Sequence, residues 1–489
     1  MVQDQVTLRR LARQTLQSRP LVVVSNREPY IHTCHNDGVT VMRPASGMVV
    51  ALDPVLRACG GLWVAHGSGN ADQQVADTRG HVRVPPENPS YTLKRVWLSK
   101  EQEKGYYYGF SNSALWPLCH IAYRRPLFEK SHWDSYHEVN ELFAKNVAEE
   151  IGDQPAFVFV QDYHLALLPR MLKQRNSKLR VALFWHIPWP NPEAFRICPW
   201  KKELLEGLLG CDILGFHVRY HCNNFIETVN RELEARPDQE MTAVVYGGHT
   251  TKVRAFPISV DFAAINAAAD TPQVARLMKQ WREKYKLPSK NIGIGVDRLD
   301  YTKGIPERLR AIDRFLENHP EYVGDFVFVQ IGVPSRTHVE EYRKLGEEVG
   351  ETVGRINRKY RQGSWKPILY LAEHHEPPDL YALYRLARFC IVSSLHDGMN
   401  LVAKEFVAAD IKEDGVLLLS QFTGAARQLR QAMIINPYAV DNLSESIYAA
   451  LTMDNKEVQV RMHRLRETVR ENNIYKWAES ILRKLSRLA

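Results

Sequence analysis

Short runs of apolar and β-branched residues alternate along the chain with segments of helical periodicity. Runs of the first kind lie at 21–25, 157–161, 181–185, 292–296, 326–331, 389–393, 416–420 and 433–436. Helical spacing of the apolar positions predicts helices at 134–152, 165–174, 273–285 and 305–318. Because continuous apolar strands that alternate with helices are typical of parallel sheets covered on both faces, the pattern predicts an α/β fold.

The chain has 489 residues, which is large for a single domain, and the pattern divides it into two. A complete set of strand and helix units precedes 256–260 and a new set follows, so we place a linker at about 257–265. We expect an arm at 1–20, a first Rossmann-like domain at 21–257 and a second at 258–470. The two doubly wound domains would face a cleft.

The composition is that of an ordinary soluble globular protein, with 45% apolar and 25% charged residues. No apolar run approaches the ~18 residues that a membrane-spanning helix needs. Residues 1–20 lack the apolar stretch of a secretory signal, so we expect a cytoplasmic protein with no membrane partner. The seven cysteines are scattered and contain no C-x-x-C pair, which argues against a zinc or redox site.

Positive charge exceeds negative charge by 8, since 64 Lys and Arg stand against 56 Asp and Glu. The basic residues alternate with acidic ones along the chain and form no stripe, so the excess does not predict a nucleic-acid partner. Phosphorylated small molecules are the ligands that this charge favours.

Ligands of doubly wound sheets bind beyond the carboxyl ends of the strands, which makes the residues after each run candidates. Arg27 follows the first run, and Gly47 lies in a turn before a helix, where backbone N–H groups can approach a phosphate, although such turns are often purely structural. Asp162 could orient or deprotonate a hydroxyl, or cap the helix that follows it. His186 could face a substrate or be a hydrogen-bonded core histidine, and His164 is interpreted as structural.

Two cations, Arg298 and Lys303, follow the run at 292–296 and precede a predicted helix. A guanidinium binds phosphate oxygens bidentately and an ammonium adds a point charge, so the pair suits a diphosphate and would neutralise a departing nucleotide. Asp297 and Asp300 could serve only to hold these cations in place.

The segment 395–405 places Asp397 and Gly398 at the end of another run, with a helix predicted to begin at about Met399. The free N–H groups and the positive dipole end of that helix would form an anion site. Glu405 is expected two helical turns further on, on the same face as Asp397, where its carboxylate could accept both hydroxyls of a ribose.

Taken together, these residues resemble the trehalose-6-phosphate synthases, which are retaining glycosyltransferases of the two-domain glycosyltransferase-B fold. The resemblance runs from about Leu21 to Trp477 and implies that the segment 471–489 is a helix crossing back to the first domain. It rests on the strings VVVSNR (22–27), YYYGFSNSALWP (106–117), QDYHLALLP (161–169), HIPWP (186–190), LLGCDILGFH (208–217), RLDYTKGIPER (298–308), PSR (334–336), GRIN (354–357) and DGMNLVAKE (397–405).

The resemblance implies that the second domain binds UDP-glucose, with ADP- or GDP-glucose left open. Arg298 and Lys303 would grip the diphosphate and Gly47 would close over it, while Glu405 would bind the ribose and Asp397 the glucose hydroxyls. The implied donor-binding set is Gly47, Arg298, Lys303, Gly398, Met399, Asn400, Leu401, Val402 and Glu405.

A sugar phosphate is the acceptor that the resemblance implies for the first domain. The implied acceptor set is Arg27, His66, Tyr107, Trp116, Asp162 and Arg336, with the arginines on the phosphate. The implied catalytic set is Arg298, Lys303, Asp162, His186 and Asp397, with His186 near the transferred sugar. The departing phosphate would take the acceptor's proton through an oxocarbenium-like state, without protein nucleophile, cofactor or metal. Family members are often dimers or tetramers, which makes a homo-oligomer an expectation.

The chain departs from the family pattern on the acceptor side. Ser46 stands where the family has a glycine before Gly47, and His66 follows the GGLW string (60–63) in place of a second tryptophan. The segment 27–30 resembles the glucosylglycerol-phosphate synthases, whose acceptor is glycerol 3-phosphate. Asn26 and the HIPWP and RLDYTKG strings favour glucose 6-phosphate, so the predicted product is α,α-trehalose 6-phosphate.

Other classes of protein remain as alternatives. An inactive regulatory homologue would be expected to lose a donor contact, whereas Arg298, Lys303, Asp397 and Glu405 are all present. A nucleic-acid-binding protein would need clustered cations and exposed aromatic residues. A phosphorylase of similar architecture would need a lysine that holds pyridoxal phosphate.

Overall fold

The computed structural model describes residues 4–16, 19–35, 38–44, 47–238, 242–336 and 338–487. The chain packs as two compact units, Met1–Ile258 together with Ile474–Ala489, and Ser259–Asn473. Within the described residues, no helix is both long enough and apolar enough to cross a membrane.

A ten-stranded sheet forms the centre of the first unit. The strands of this unit are β1 (Leu21–Arg27), β2 (Ile31–His35), β3 (Gly38–Met42), β4 (Leu62–His66), β5 (His81–Val84), β6 (Tyr91–Val96), β7 (Phe157–Gln161), β8 (Arg180–Phe184), β9 (Ile213–Phe216), β10 (Arg236–Asp238), β11 (Ala243–Tyr246) and β12 (His249–Ala255). The sheet order is β10-β11-β12-β9-β8-β7-β1-β4-β6-β5, parallel from β12 to β6 and antiparallel at both edges. β2 and β3 form a separate antiparallel hairpin.

Helices join the strands of the first unit. They are α1 (Gln5–Leu16), α2 (Gly47–Cys59), α3 (Asp72–Val75), α4 (Lys100–Glu103), a π-helix (Lys104–Leu115), α5 (Trp116–His120), α6 (Lys130–Ile151), a 3-10 helix (Tyr163–Leu165), α7 (Leu168–Arg175), α8 (Pro192–Phe195), α9 (Lys201–Leu208) and α10 (Arg219–Glu232). The segment 1–20, expected as an arm, contributes α1, which packs against α2.

The second unit has a six-stranded sheet in which every pair is parallel. Its strands are β13 (Ile292–Arg298), β14 (Val327–Val333), β15 (Ile368–Leu371), β16 (Phe389–Val392), β17 (Val416–Ser420) and β18 (Met433–Ile435), in the order β15-β14-β13-β16-β17-β18. The order reverses between β13 and β16, which is the position where doubly wound sheets bind ligands.

Helices also cover the sheet of the second unit. They are α11 (Phe262–Ala269), α12 (Pro272–Tyr285), a 3-10 helix (Tyr301–Lys303), α13 (Ile305–Asn318), a 3-10 helix (Pro320–Tyr322), α14 (Glu340–Lys359), α15 (Pro377–Leu386), α16 (Val402–Ala409), a 3-10 helix (Gly424–Arg427), α17 (Val440–Thr452) and α18 (Asn455–Glu471). The chain then forms α19 (Ile474–Ser486), which packs on α1 and α2 in the first unit.

The α/β fold class is confirmed, and each apolar run singled out in the sequence is a strand of one of the two sheets. These strands are largely buried, except the edge strand β18, whose Ile434 is exposed. The linker expected at 257–265 is wrong at its far end, because α11 already begins at Phe262. Asp261 caps that helix by accepting the Ala264 N–H at 3.0 Å.

Candidate active site

The turn after β13 presents Lys303, the last residue of its 3-10 helix. Gly304 follows with a φ of +61°, and a side chain there would collide with the carbonyl of Ser393 just beyond β16. The Ser393 hydroxyl donates to the carbonyls of Lys303 (3.1 Å) and Gly304 (2.9 Å). The turn is therefore fixed against the end of the neighbouring strand.

Lys303 and Asp397 form an ion pair at this edge of the sheet. The Lys303 Nζ donates to Asp397 Oδ2 at 2.6 Å, and both side chains are 13% exposed. The same oxygen accepts from Ser394 Oγ at 3.1 Å and from Asn400 Nδ2 at 3.3 Å. Residues that the sequence predicted on two separate segments, Lys303 on one and Asp397 with Asn400 on the other, thus come together. The carboxylate orients a cation that is still partly exposed.

Arg298 ends β13 beside this pair. In the part of the chain that the structure describes, its guanidinium has no hydrogen-bond or ion-pair partner. Burial raises the pKa of Asp300, but the charges of Arg336, Lys303 and Arg298 outweigh burial, and the pKa lies below its ordinary value. Asp300 therefore stays ionised as a counter-charge beneath the cations.

Arg336, which we assigned to the acceptor phosphate, lies in the second unit. Its Nη1 is 3.6 Å from Asp300 Oδ2, and its guanidinium lies over the Tyr342 ring, 5.3 Å from the centroid. Within the second unit, Arg336 therefore lies next to the turn after β13.

Arg308 is a buried cation to which the sequence analysis gave no role. Its guanidinium donates to Asp297 Oδ2 (2.7 Å), Ser393 Oγ (3.0 Å) and Gln330 Oε1 (2.9 Å), and the side chain is fully buried. It lies on the buried face of α13, so an arginine among apolar helix positions was the available signal. This network joins β13, β14 and β16 beneath the turn that carries Lys303.

The helix predicted to start at Met399 begins instead at Val402. Asn400 adopts a φ of 76°, which prevents the helix from starting earlier, and its Oδ1 accepts the Ala403 N–H at 3.1 Å. Within the described residues, the backbone N–H groups of Asn400, Leu401 and Val402 donate no hydrogen bond. These groups are therefore available to an anion, in addition to the helix dipole.

Glu405 lies in the first turn of α16, not two turns beyond its start, and Asp397 precedes the helix. Burial raises the pKa of Glu405 to about 7, with an opposing effect of the Tyr384 hydroxyl. The hydroxyls of a bound ribose would favour the ionised form of Glu405.

The neighbouring Lys404, which the sequence left without a role, is buried, and burial lowers its pKa to about 7. Its Nζ donates to Gln428 Oε1 at 2.8 Å.

Asp162 joins the ends of β7 and β8 in the first unit. Its Oδ1 accepts the N–H groups of Tyr163 and His186, each at 3.0 Å, and its backbone has a φ of 74°. The carboxylate caps the 3-10 helix, whereas α7 starts only at Leu168. Asp162 therefore fixes the backbone that carries His186.

The His186 ring is held neutral. Its Nε2 lies 2.9 Å from Oε1 of the fully buried Gln161. Burial lowers the pKa of His186 to about 3. A neutral imidazole can accept a hydrogen bond from a sugar hydroxyl through its other nitrogen.

Gln161→Glu is expected to raise the pKa of His186 well above its value of about 3. A carboxylate placed 2.9 Å from Nε2 would stabilise the imidazolium ion. NMR titration of histidine-labelled protein measures this pKa. Gln161→Met removes the oxygen without adding charge and should leave the pKa low. An unchanged pKa of His186 in Gln161→Glu would show that residue 161 does not influence the protonation of the His186 ring.

Arg27 and His66 lie side by side, because β1 pairs with β4 in a register that sets these two residues opposite each other. The Arg27 Nη2 donates to the Tyr107 hydroxyl at 3.3 Å. Burial lowers the pKa of His66 to about 4, although Asp72 is nearby, so this imidazole is neutral. The structure thus brings together one cation, one neutral imidazole and one phenol of the predicted acceptor set.

Trp116 belongs to an aromatic cluster that extends from Tyr107. Tyr107 stacks on His164 at 5.6 Å, His164 packs on Tyr163 at 4.0 Å, and Tyr163 lies 5.9 Å from Trp116. The assignment of His164 as structural agrees with this packing.

Two further predictions concern the loop before α2 and the absence of a metal. Gly47 is the exposed first residue of α2, and Ser46 lies outside the described residues. Among the residues that the structure describes, no group of three or more His, Cys, Asp or Glu side chains could hold a metal ion.

Known proteins resemble this chain over nearly its whole length. The family model for glycosyltransferase family 20 matches residues 19–487. The trehalose-6-phosphate synthase of Mycolicibacterium vanbaalenii is 39% identical over 469 residues, which are 94% of this chain and 94% of the relative.

Solved structures also resemble this chain over nearly its whole length. An E. coli protein bound with UDP-2-fluoro glucose is 33% identical, with a TM-score of 0.85 over 96% of this chain and 99% of that one. A UDP-forming α,α-trehalose-phosphate synthase from Burkholderia xenovorans, in complex with glucose-6-phosphate, is 30% identical, with a TM-score of 0.85 over 95% of this chain and 99% of that one. The chain therefore belongs to glycosyltransferase family 20, together with these trehalose-6-phosphate synthases.

Proposed function

We propose that this chain transfers glucose from UDP-glucose to glucose 6-phosphate and releases α,α-trehalose 6-phosphate and UDP. The observation that carries the proposal is the cluster at the switch point of the second sheet, where Lys303, Asp397 and the free N–H groups of 400–402 meet. The relatives support the substrates, because one solved neighbour binds UDP-2-fluoro glucose and another binds glucose-6-phosphate.

The donor would bind to the second unit. Arg298 and Lys303 would hold the diphosphate with the N–H groups of 400–402, and Glu405 would accept the ribose hydroxyls. Asp397, which already accepts hydrogen bonds from neighbouring side chains, would bind glucose hydroxyls beside Gly398 and Met399. Gly47 of the first unit would complete the diphosphate contacts.

The acceptor would bind to the first unit. Arg27 would hold the phosphate, with Arg336 of the second unit as the further cation. Tyr107, Trp116 and His66 would contact the sugar ring, and Asp162 would fix both the acceptor and the backbone of His186.

In the reaction, the bond between the anomeric carbon and the UDP oxygen breaks, and an acceptor oxygen bonds to that carbon on the same face. The acceptor's proton passes to the departing phosphate. Because the acceptor oxygen bonds directly to the anomeric carbon, no protein nucleophile takes part. Negative charge develops on the phosphate, where Arg298 and Lys303 stabilise it. The positioning of the two sugars next to each other would provide the rest of the rate enhancement. These two cations would make a metal or organic cofactor unnecessary, and a cytoplasmic homo-oligomer stays a prediction.

The test is UDP release from UDP-glucose with glucose 6-phosphate or glycerol 3-phosphate in separate reactions. We expect release with glucose 6-phosphate alone. Release with glycerol 3-phosphate alone would instead assign the chain to the glucosylglycerol-phosphate reaction. If neither acceptor supports release, ADP-glucose and GDP-glucose replace the donor, and inactivity with all three would favour the regulatory alternative.

A further inference from the structure

Two segments that depart from the family pattern on the acceptor side contact each other directly. Glu28 follows Arg27, and Ser68 lies two residues after His66. The Glu28 Oε1 accepts the N–H of Ser68 at 2.8 Å and its hydroxyl at 3.2 Å. A single carboxyl group therefore connects the end of β1 to the segment that follows β4.

A second carboxyl group holds the next amide of the same segment. Asp72 Oδ2 accepts the Gly69 N–H at 2.6 Å, and Asp72 Oδ1 accepts the His32 N–H at 2.8 Å. Adjacent N–H groups at 68 and 69 are thus bound by two different carboxyls, and the conformation of the segment depends on both.

Arg95 organises these two carboxyls from the next strand of the sheet. Its Nε donates to Glu28 Oε2 at 2.8 Å, and its Nη2 lies 2.8 Å from Asp72 Oδ1. The guanidinium also donates to the carbonyls of Asp72 and Tyr30, each at 3.0 Å. The network is therefore anchored on β6, which pairs with β4.

The charges of this network balance only if one carboxyl keeps a proton. Glu28, Asp72 and Arg95 are all buried, and they contribute two acids and one cation. The imidazoles that face them add no charge, because burial lowers the pKa of both His32 and His66.

The burial and the contacts of Glu28 favour the protonated form of this carboxyl group. Burial and a hydrogen bond to Asp72 raise the pKa of Glu28 to about 8, against the attraction of Arg95. A protonated Glu28 can donate to Asp72 while it accepts from Ser68 and Arg95. Ionisation would place two negative carboxyls together in a buried site with one guanidinium, which is unfavourable.

We propose that Glu28 is a positioning residue that fastens the segment 66–69 to Arg27 and thereby sets how the acceptor is bound. The inference rests on the proposed function, since it gives the acceptor side of that site its shape. Glu28 itself is 1% exposed, so it would act through Arg27 and His66, which lie opposite each other and which the proposed function assigns to the acceptor.

The test compares steady-state kinetics of Glu28→Leu and Glu28→Gln with the unmodified enzyme. Leucine fills a similar volume without any hydrogen bond, whereas glutamine keeps an uncharged donor and an acceptor. We expect Glu28→Leu to raise the acceptor KM about 10-fold or more with the donor KM within about 2-fold, and Glu28→Gln to retain most of the acceptor affinity. The acceptor KM of the unmodified enzyme should also rise above about pH 8, and this rise should be absent in Glu28→Gln.

Asp212→Asn is the matched control for a loss of stability. Asp212 is another buried carboxylate of the first unit, bound to Lys173 at 2.9 Å and to the Val181 N–H at 2.7 Å, at the opposite ends of the strands from Arg27. Destabilisation alone should leave both KM values unchanged in this variant. Equal changes of both KM values in Glu28→Leu, or no change in a folded Glu28→Leu protein, would overturn the positioning role.

Hydrogen exchange separates this inference from the proposed function. If the unmodified enzyme uses neither acceptor, the proposed function fails, but the amides of Ser68 and Gly69 still report on the network. We expect both amides to be protected in the unmodified enzyme and to lose at least about 10-fold in protection in Glu28→Leu. Unchanged protection would refute the fastening of the segment by Glu28.

Discussion

Lys303→Ala and Arg298→Ala are each expected to lower kcat/KM by roughly 100-fold or more, equivalent to about 3 kcal/mol of transition-state stabilisation. Arg298 is the last residue of β13 and Lys303 lies in the turn after it, at the switch point of the second sheet. The departing diphosphate would gain negative charge at this position. Removal of Lys303 also leaves Asp397 without the partner that lies 2.6 Å from it, so a repulsive carboxylate would face the donor. Steady-state UDP release measures the effect.

Two exposed cations of the second unit provide the controls for these variants. Lys344→Ala and Arg310→Ala each remove the same kind of side chain from the surface, where Lys344 pairs with Glu340 and Arg310 with Glu307. Both controls should retain kcat/KM within about 2-fold, since exposed ion pairs contribute little. Near-normal turnover in both Lys303→Ala and Arg298→Ala would remove these cations from the leaving group.

The parallel cores were predictable because their strands are buried on both faces. β7, β8 and β17 each contain an unbroken run of four apolar residues, and hydrophobic pattern alone identifies such strands. The hairpin of β2 and β3 was missed, since most of its residues are partly or fully exposed and its sequence has no continuous apolar run. Pattern therefore located most of the strands that lead into the site, such as β1, β7 and β13, but not β4, which carries His66.

The site was predictable where a residue follows a strand and less so where it depends on backbone conformation or on distant partners. Lys303 and Asp397 were found from their strand ends. The start of α16 was misplaced because Asn400 takes a positive φ that its sequence context does not indicate. Arg308 was overlooked because its partners are distant in the sequence: two lie on β13 and β14, and Ser393 lies just after β16.

Glu28 and Arg95 illustrate the same difficulty on the acceptor side. The sequence marked the segment 27–30 as unusual, but nothing in it indicates that Glu28 meets Arg95, which is 67 positions away. Such a pairing follows from strand order, which places β6 next to β4 and β4 next to β1. The role of such residues can be recognised only when the strand order is known from the structure.

Arg308→Met is expected to lower the free energy of unfolding of the second unit by about 3–5 kcal/mol, because it leaves a buried carboxylate without its cation. Asp297 is itself buried, and burial already raises its pKa against the charges of Arg308 and Lys303. Chemical denaturation followed by circular dichroism measures the loss.

Two further variants show whether the buried charge is the cause of this loss. Combining Arg308→Met with Asp297→Asn removes both charges and should recover part of the stability, as expected when an unpaired buried charge is the main penalty. Arg314→Met, on an exposed part of the same helix, breaks pairs with Glu317 and Asp441 and should cost less than about 1 kcal/mol. If Arg308→Met were no more destabilising than Arg314→Met, the network beneath the Lys303 turn would not hold the site in place. Since Ser393 bonds both Arg308 and the carbonyl of Lys303, the loss should also weaken donor binding in the folded fraction.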